Sequence, residues 1–456
     1  MSHRVMKMKD MTSGNPLKLI LFFSVPILFG NVFQQLYLMA DTMIVGQFLG
    51  VDPLAAMGAS TTVANLVIGF CNGMATGVGI LVAQFFGARN ERGMKQATAG
   101  SYVICFSASI LLCVISIALA RPILLLLKTP ASILDMAALY LVIIMAGIVV
   151  TMLYNLFASL LRCVGDAKTP LYFLIIASIL NVVLDYVLVA IIPLGIAGAA
   201  LATVIAQALA TLLCFLYIRR RYPLFLVKRS DFRLEKELFA KQLTMGISMG
   251  LMNSIVSIGT LVLQSAVNQL GKMTIAAHTA ARKIVEMLMQ PFISLGIAVT
   301  TFVSQNLGAN QLSRILEGVK KSVWVSFVWA AAVIVLSFSA ASFLIGFLID
   351  GKHREVVEPA VFYTQIMSLF YFALALLFLY RSALQGLGNG TVPIVSSIIE
   401  MLVKIIVTFT LVPACGYLGV ALAEPISWCL MAIVLVGCFY RNMRVRKTDQ
   451  STRIDR

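Results

Sequence analysis

The segment LFFSVPILFGNVFQQLYLMADTMIVG, residues 21–46, is an apolar stretch with one carboxylate, Asp41. A second apolar stretch, LYFLIIASILNVVLDYVLVAIIP at residues 171–193, carries Asp185. Each stretch is long enough to cross a hydrocarbon core of about 30 Å as a helix. A charge inside such a segment costs about 2.5–3.5 kcal/mol on insertion scales, so it usually marks an ion or substrate pathway. The two stretches therefore predict a membrane protein with a polar pathway.

The composition places most of the chain in the membrane. Of its 456 residues, 60% are hydrophobic and 12% are charged, whereas a soluble domain carries about 25% charged residues. We therefore expect an all-α polytopic membrane protein with about twelve transmembrane helices. The predicted spans are 17–45, 53–85, 97–120, 131–160, 169–191, 195–218, 239–268, 275–306, 322–349, 358–382, 392–413 and 416–440.

The formal charge of +16 is a topology signal. The cations concentrate in alternate loops and in both tails, with Arg4, Lys7 and Lys9 in the first tail. By the positive-inside rule, this pattern predicts an inner or plasma membrane protein with both termini in the cytoplasm, and it argues against nucleic acid as a partner. The eight cysteines form no CxxC pair, so we predict neither a disulfide nor a metal site at cysteines. We expect no cofactor other than a coupling ion, Na⁺ or H⁺.

The chain contains an internal repeat. Val82-x-Gln84-x-x-Gly87-Ala88 recurs as Val303-x-Gln305-x-x-Gly308-Ala309, at an offset of 221 (305 − 84). Six spans in each half make the repeats parallel, as in transporters that alternate access by rocking one half against the other. The predicted parts are a first lobe at 1–218 with spans one to six, a cytoplasmic linker at 219–238, a second lobe at 239–440 with spans seven to twelve, and a basic cytoplasmic tail at 441–456.

Small residues recur at four-residue spacing in two of the predicted spans. Gly69, Gly73 and Gly77 follow this spacing in the second span, and Gly246 and Gly250 follow it in the seventh. Such steps let helices approach closely in lipid, so they predict helix packing.

Spans five and six flank the short turn 192–195 and must form an antiparallel hairpin. Counted from Leu194, Asp185 lies nine residues back and Thr203 nine residues forward, while Asn181 and Gln207 are both thirteen away. At about 1.5 Å per residue, each pair lies level in the membrane. Four-residue spacing keeps both pairs on one helix face, so the hairpin presents a polar ladder.

The first span adds a second polar stripe, since Gln34, Tyr37 and Asp41 are three and four residues apart. Pro26 provides a place for this helix to bend, because it removes one backbone hydrogen bond. Carboxylates, an amide and a hydroxyl form an all-oxygen set, which suits a hard cation. Alternatively, two close carboxylates retain a proton and suit a proton carrier. In a further reading, both acids lie near the outer interface and reach water.

The second half has no counterpart of either carboxylate. Instead, Lys404 and Glu424 each lie ten residues from Ala414 in the turn between the last two spans, and Glu400 is one helical turn from Lys404. These residues are expected to meet across the hairpin as a buried ion pair, with either a structural or a substrate-facing, gating role. Truncating one partner would strand a buried charge.

From about residue 15 to residue 440, the chain resembles the multidrug and toxic-compound extrusion (MATE) family, and its DinF-like branch in particular. The resemblance rests on the twofold six-span plan and on several motifs. They are Pro26 and Asp41, Val82-Ala83-Gln84-x-x-Gly87-Ala88-x-Asn90, the set Asn181, Asp185 and Thr203, and Ala276-Ala277-His278. The resemblance implies a MATE/MOP-type fold and antiport of a drug against Na⁺ or H⁺. It also implies a first helix that kinks when the site at Asp41 and Asp185 is occupied.

We therefore expect a multidrug antiporter for lipophilic and cationic drug-like molecules, monomeric and surrounded by membrane lipids. The alternatives are a lipid-linked oligosaccharide flippase of related architecture and, more distantly, an intramembrane enzyme. The expected cation or Na⁺ site is Asp41, Asn181, Asp185 and Thr203, and the expected substrate cavity is Gln34, Tyr37, Ser178 and Gln207.

Overall fold

The computed structural model describes residues 10–233, 235–349 and 354–454. Arg4, Lys7, Lys9 and the last two residues of the predicted tail lie outside these ranges. The regular structure of the described ranges is entirely helical, with no β-strand. The α-helices are α1 Pro16–Leu49, α2 Val51–Gly87, α3 Glu91–Leu126, α4 Ala131–Ala146, α5 Ile148–Cys163, α6 Lys168–Asp185, α7 Ile196–Arg221, α8 Lys236–Gln269, α9 Lys272–Gly308, α10 Leu312–Ile349, α11 Arg354–Leu369, α12 Tyr371–Gly386, α13 Thr391–Cys415 and α14 Tyr417–Ile454.

Ten helices in the described ranges are long and apolar enough to cross a membrane, and the number is up to twelve if each of two bent helix pairs forms one span. This confirms the predicted all-α polytopic fold. Most of the unbroken helices, such as α2 and α3, are longer than the predicted spans, and α14 runs on through most of the predicted tail.

Two of the predicted spans, 131–160 and 358–382, are pairs of helices joined at a bend. The chain bends by 44° between α4 and α5 and by 54° between α11 and α12. The breaks fall at Gly147 and Phe370, which are 223 residues apart (370 − 147), so they follow the internal repeat. A Cβ on Gly147 would lie 2.6 Å from Val204 of α7, so its absence lets α7 pack at the bend. The bends themselves were not predicted, because apolar composition continues across both of them.

The described chain forms two compact units. One comprises Asp10 and Val25–Ser254, and the other comprises Met11–Ser24 together with the described residues from Ile255 onward. Consequently α1 and α8 each contribute residues to both units. The lobe boundaries predicted from the repeat remain a prediction.

In the first unit, α2 packs against α3, α4 and α5 around a core of aliphatic and sulfur-containing side chains. The glycines of α2 meet those at the start of α8. A Cβ on Gly73 would collide with the Met249 carbonyl group, and one on Gly77 would lie 2.5 Å from the Met245 carbonyl oxygen. The small residues that the sequence indicated therefore permit backbone-to-backbone approach of these two segments.

Replacing Gly77 by alanine is expected to destabilise the protein, because the methyl group has no space beside Met245. Overpacking of this kind costs about 1–3 kcal/mol. Gly58→Ala is the matched control in the same helix, since no atom lies within 4 Å of its Cβ position; there alanine should raise stability by about 0.5–1 kcal/mol through its better helix propensity. The check is the thermal unfolding midpoint of purified protein, and equal midpoints for the two variants would contradict the packing.

In the second unit, α9 packs against α10, α11 and α12, and α13 forms a hairpin with α14. The residues that precede α1 are held by the ends of α9 and α10. Gln305 Oε1 accepts a hydrogen bond from the Met11 amide at 2.9 Å, and the Asn306 side-chain amide donates to the Met11 carbonyl at 3.1 Å. Arg314 adds a hydrogen bond of 2.7 Å to the Gly14 carbonyl oxygen. The second copy of the repeated glutamine motif thus fixes the beginning of the helical chain.

Candidate functional site

The α6–α7 hairpin positions part of the candidate site. A Cβ on Gly198 would lie 2.6 Å from the Leu188 carbonyl oxygen, so glycine is required where the two arms meet at the turn. On α6, Asp185 and Asn181 are 0% and 2% exposed. Thr203 of α7 is half-buried and donates a hydrogen bond of 3.1 Å to the Ala199 carbonyl oxygen.

The helix changes its hydrogen-bonding pattern directly after Asp185. Residues Tyr186–Ile191 form a π-helical turn between the end of α6 and the hairpin turn. π-Helical turns are rare in proteins, and those that occur often lie at functional sites. This turn could not be predicted, because Tyr-Val-Leu-Val-Ala-Ile suits an α-helix equally well.

The first helix brings the second carboxylate to the hairpin. Along α1, Gln34 is exposed, Tyr37 is half-buried beside it, and Asp41 is 1% exposed. The Asp41 carboxyl group lies beside the Asp185 carboxyl group and the Thr203 hydroxyl group. Asp41, Asp185 and Thr203 thus lie together, with Asn181 one turn before Asp185 on α6, and we call these four residues the acidic site.

The acidic site has polar atoms that the protein leaves without partners. Asp41 Oδ1, both carboxylate oxygens of Asp185 and both side-chain polar atoms of Asn181 are buried and make no hydrogen bond of normal geometry to any described residue. Buried polar groups are nearly always hydrogen-bonded, and leaving them unpaired is costly. The site is therefore suited to hold a cation, a proton or water between its oxygen atoms.

The structure adds a residue to this site that the sequence did not suggest. Tyr140 of α4 is 5% exposed and lies within electrostatic range of Asp41, Asp185 and Tyr37, with Thr61 beside its hydroxyl group. A single tyrosine in an apolar helix has no spacing signal, so sequence reasoning could not select it.

The other predicted residues occupy neighbouring positions. The Ser178 hydroxyl group donates a hydrogen bond of 2.8 Å to the Leu174 carbonyl oxygen, which lies in the same helix, α6. Gln207 is half-buried one turn beyond Thr203. Pro26 is buried inside α1, two residues after the point where that helix passes from the second unit to the first.

The predicted ion pair of the second unit is part of a longer chain of charges. Lys404 Nζ lies 3.3 Å from Glu424 Oε1 and 3.4 Å from Glu400 Oε1. Arg381 binds Glu400 at 2.8 Å, and Arg282 binds Glu424 at 3.1 Å. These contacts join α9, α12, α13 and α14, and all but Arg282 of these side chains are less than 10% exposed. Arg381 was missed because it has no acidic neighbour on its own helix, so no spacing indicated its contact with Glu400 of α13.

The two units are chemically unequal. Each buried carboxylate of the second unit is neutralised by fixed Lys and Arg side chains, whereas Asp41 and Asp185 form no ion pair with any described residue of the first unit. A mobile cation is attracted by a carboxylate that has no fixed counter-ion. Among the described buried carboxylates, those without a fixed counter-ion therefore lie in the first unit.

Comparison with known proteins identifies the family. The MatE family model matches residues 26–187 and again residues 249–410, and the second match begins 223 residues after the first (249 − 26). The chain belongs to the MatE family. Two MatE units account for the repeat and for the recurrence of the broken span, and they confirm the family resemblance seen in the motifs. The protein is thus a multi-pass membrane protein of a transporter family.

Curated relatives cover nearly the whole chain. Probable multidrug resistance protein YoeA of Bacillus subtilis is 28% identical over 95% of this chain and 94% of its own length. Probable multidrug resistance protein YpnP of the same organism is 32% identical over 68% of this chain and 69% of its own. Multidrug export protein MepA of Staphylococcus aureus is 22% identical over 95% and 96%.

Solved structures agree in fold. A crystal structure of MATE in the bent conformation has a TM-score of 0.91 at 21% identity and covers 98% of this chain and 100% of that one. An outward-facing multidrug resistance MATE family transporter of the MOP superfamily has the same TM-score at 20% identity. These matches extend the MatE assignment to the architecture of the whole chain.

Proposed function

We propose that the chain is a secondary active multidrug efflux antiporter. It exports lipophilic cationic molecules in exchange for Na⁺ or H⁺ by alternating access of its two halves. The observation that carries the proposal is the acidic site, with two buried carboxylates that have no fixed cation and come from different helices. Intramembrane carboxylates of this kind mark ion pathways, and the names of the relatives indicate drug-like cargo.

Each member of the acidic site has a role in this proposal. Asp41 and Asp185 carry the negative charge that the coupling ion neutralises, and Asn181 and Thr203 complete the oxygen shell of a bound Na⁺. In the proton-coupled version, the two close carboxylates share the incoming proton. The neighbouring cargo cavity is lined by Gln34, Tyr37, Ser178 and Gln207. Pro26 is the hinge at which α1 bends when the acidic site is occupied.

The charge chain of the second unit holds its helices together in this scheme. Glu400, Lys404 and Glu424 stay ionised and paired, so they neither bind the coupling ion nor carry protons. The protein works as a monomer without a cofactor, enzymatic activity or nucleic acid, in the inner or plasma membrane with lipids around it. Its termini are in the cytoplasm, in accordance with the positive-inside pattern.

Efflux of a fluorescent lipophilic cation from proteoliposomes tests the proposal. A Na⁺ or an H⁺ gradient is imposed separately on vesicles that contain the wild-type protein or Asp41→Asn. One gradient should drive efflux in the wild type, and the substitution should abolish it, which would also identify the coupling ion. If neither gradient drives efflux, the antiporter proposal fails. Transfer of a lipid-linked oligosaccharide between leaflets by the same vesicles would then establish a flippase.

A further inference from the structure

The segment that follows α7 lies at the level of the lipid headgroups. Arg219 is 23 residues after Ile196, the first residue of α7 (219 − 196), which places it about 35 Å along the helix. That distance exceeds a hydrocarbon core of about 30 Å but falls within the 40–45 Å or so of a bilayer with its headgroups. We call residues 219–233 the basic segment, and all of it belongs to the first unit.

The basic segment is fixed against α3. The Phe225 side chain is fully buried in the core of the first unit, and its carbonyl oxygen accepts a hydrogen bond of 3.2 Å from the Tyr102 hydroxyl group. Further along the segment, the Gln96 side-chain amide donates to the Arg233 carbonyl oxygen at 3.4 Å. Because both contacts are made to one membrane-spanning helix, the segment has a fixed place at the end of the bundle.

The basic segment carries a large excess of positive charge. It contains six Lys and Arg residues and one acidic residue, Asp231, which gives a net charge of +5 (6 − 1). The Asp231 carboxylate accepts a hydrogen bond of 2.7 Å from the Lys228 backbone amide. The side chains of Lys228, Arg229 and Arg233 are exposed, and none of them forms an ion pair with a residue that the structure describes. The protein thus presents three uncompensated cations at the level of the headgroups.

Exposed apolar side chains are interspersed with these cations. Leu226 is 39% exposed and Phe232 is 44% exposed. Facing water, such side chains gain nothing, whereas at the bilayer surface they can enter the boundary between headgroups and acyl chains. An inorganic anion would contact only the cations. A phospholipid supplies a phosphate for the cations and hydrocarbon for the apolar side chains.

We propose that the basic segment binds an anionic phospholipid, with Arg229 and Arg233 on the phosphate and Leu226 and Phe232 on the acyl chains. Basic clusters directly after a membrane span attract anionic lipids, and arginine binds phosphate through two parallel hydrogen bonds. The bound lipid holds the connection between α7 and α8 at the bilayer surface. This inference is independent of the efflux function and of the acidic site.

Quenching by brominated lipids tests the assignment at the segment itself. Phe232→Trp places a fluorophore there, and the protein without this change gives the background of the native tryptophans. Full-length protein is reconstituted in phosphatidylcholine that contains either brominated phosphatidylglycerol or brominated phosphatidylcholine. The anionic lipid should bind beside the introduced tryptophan at least about tenfold more strongly than the zwitterionic one. Arg229→Gln should lower this ratio about fivefold, the contribution of one basic residue near an anionic surface.

Control variants separate this effect from a general change in charge. Arg229→Lys keeps the cation and should keep most of the preference for the anionic lipid. Lys128→Gln removes an exposed lysine beyond the other end of α3 and should leave the ratio unchanged. Inorganic phosphate, compared with chloride at the same ionic strength, should also leave it unchanged.

Four results would overturn the proposal. They are equal binding of the two lipids beside the introduced tryptophan, an unchanged ratio in Arg229→Gln, and an equal loss of quenching by both lipids in that variant, which would mean that Arg229 only holds the segment in place. The fourth is displacement of the anionic lipid by inorganic phosphate, which would indicate a site for the free anion.

Discussion

Asp185→Asn is expected to reduce gradient-driven efflux by about 100-fold, the upper range of coupling between two ligands on one protein. The substitution keeps the shape of the side chain but removes a charge that no described residue neutralises. The coupling ion then gains nothing by entering the site, and its gradient no longer favours one state of the transporter. The measurement is dye efflux from proteoliposomes under the gradient that drives the wild type.

The same variant should be at least as stable as the wild type, because a buried unpaired carboxylate is costly to desolvate. A loss of transport together with an unchanged or higher unfolding midpoint would separate ion coupling from folding. Asp52→Asn, which alters an exposed aspartate in the first turn of α2, is the matched control and should transport normally. Undiminished efflux by Asp185→Asn would remove the acidic site from the mechanism.

Glu424→Gln is expected to have the opposite profile, with a large loss of stability. The Glu424 carboxylate contacts both Lys404 and Arg282, and the Lys404 side chain is only 3% exposed. Breaking a buried pair by removing one partner costs about 3–5 kcal/mol, because the other charge stays buried without compensation. The check is the thermal unfolding midpoint in detergent, supported by the yield of monodisperse protein.

A double substitution tests the reason for that loss. Lys404→Met combined with Glu424→Gln removes the stranded cation and should recover part of the stability that the single change costs. Glu317→Gln is the control, since Glu317 contacts Lys321 at 2.6 Å on the exposed surface, where ion pairs contribute little. If Glu424→Gln and Glu317→Gln have the same unfolding midpoint, the buried network does not stabilise the second unit.

Much of the fold and part of the candidate site could be read from the sequence by counting along helices. The α6–α7 hairpin has a short turn, so equal distances from that turn predicted that Asp185 and Thr203 lie level. The same reasoning placed Lys404 opposite Glu424, which are 3.3 Å apart. Counting works in these two cases because an antiparallel hairpin leaves only one register.

Contacts between helices that are not sequence neighbours could not be predicted this way. Arg282 of α9 reaches Glu424 of α14, and Tyr140 of α4 lies within electrostatic range of the acidic site; which faces meet depends on helix rotation and crossing. The breaks at Gly147 and Phe370 and the π-helical turn after Asp185 are backbone events inside uniformly apolar segments. A hydropathy profile does not reveal these breaks, because the residues on both sides of each break are equally apolar.

The division of α1 between the units gives the protein a direct mechanical link. Up to Ser24 this helix belongs to the second unit, where Gln305 and Asn306 hold its leading residues, and from Val25 it belongs to the first. Asp41 lies fifteen residues beyond Pro26 on the same unbroken helix (41 − 26). In the proposed mechanism, a displacement at Asp41 is transmitted along this one helix to its first residues in the second unit, and Pro26, which removes one backbone hydrogen bond, is the place where the helix bends.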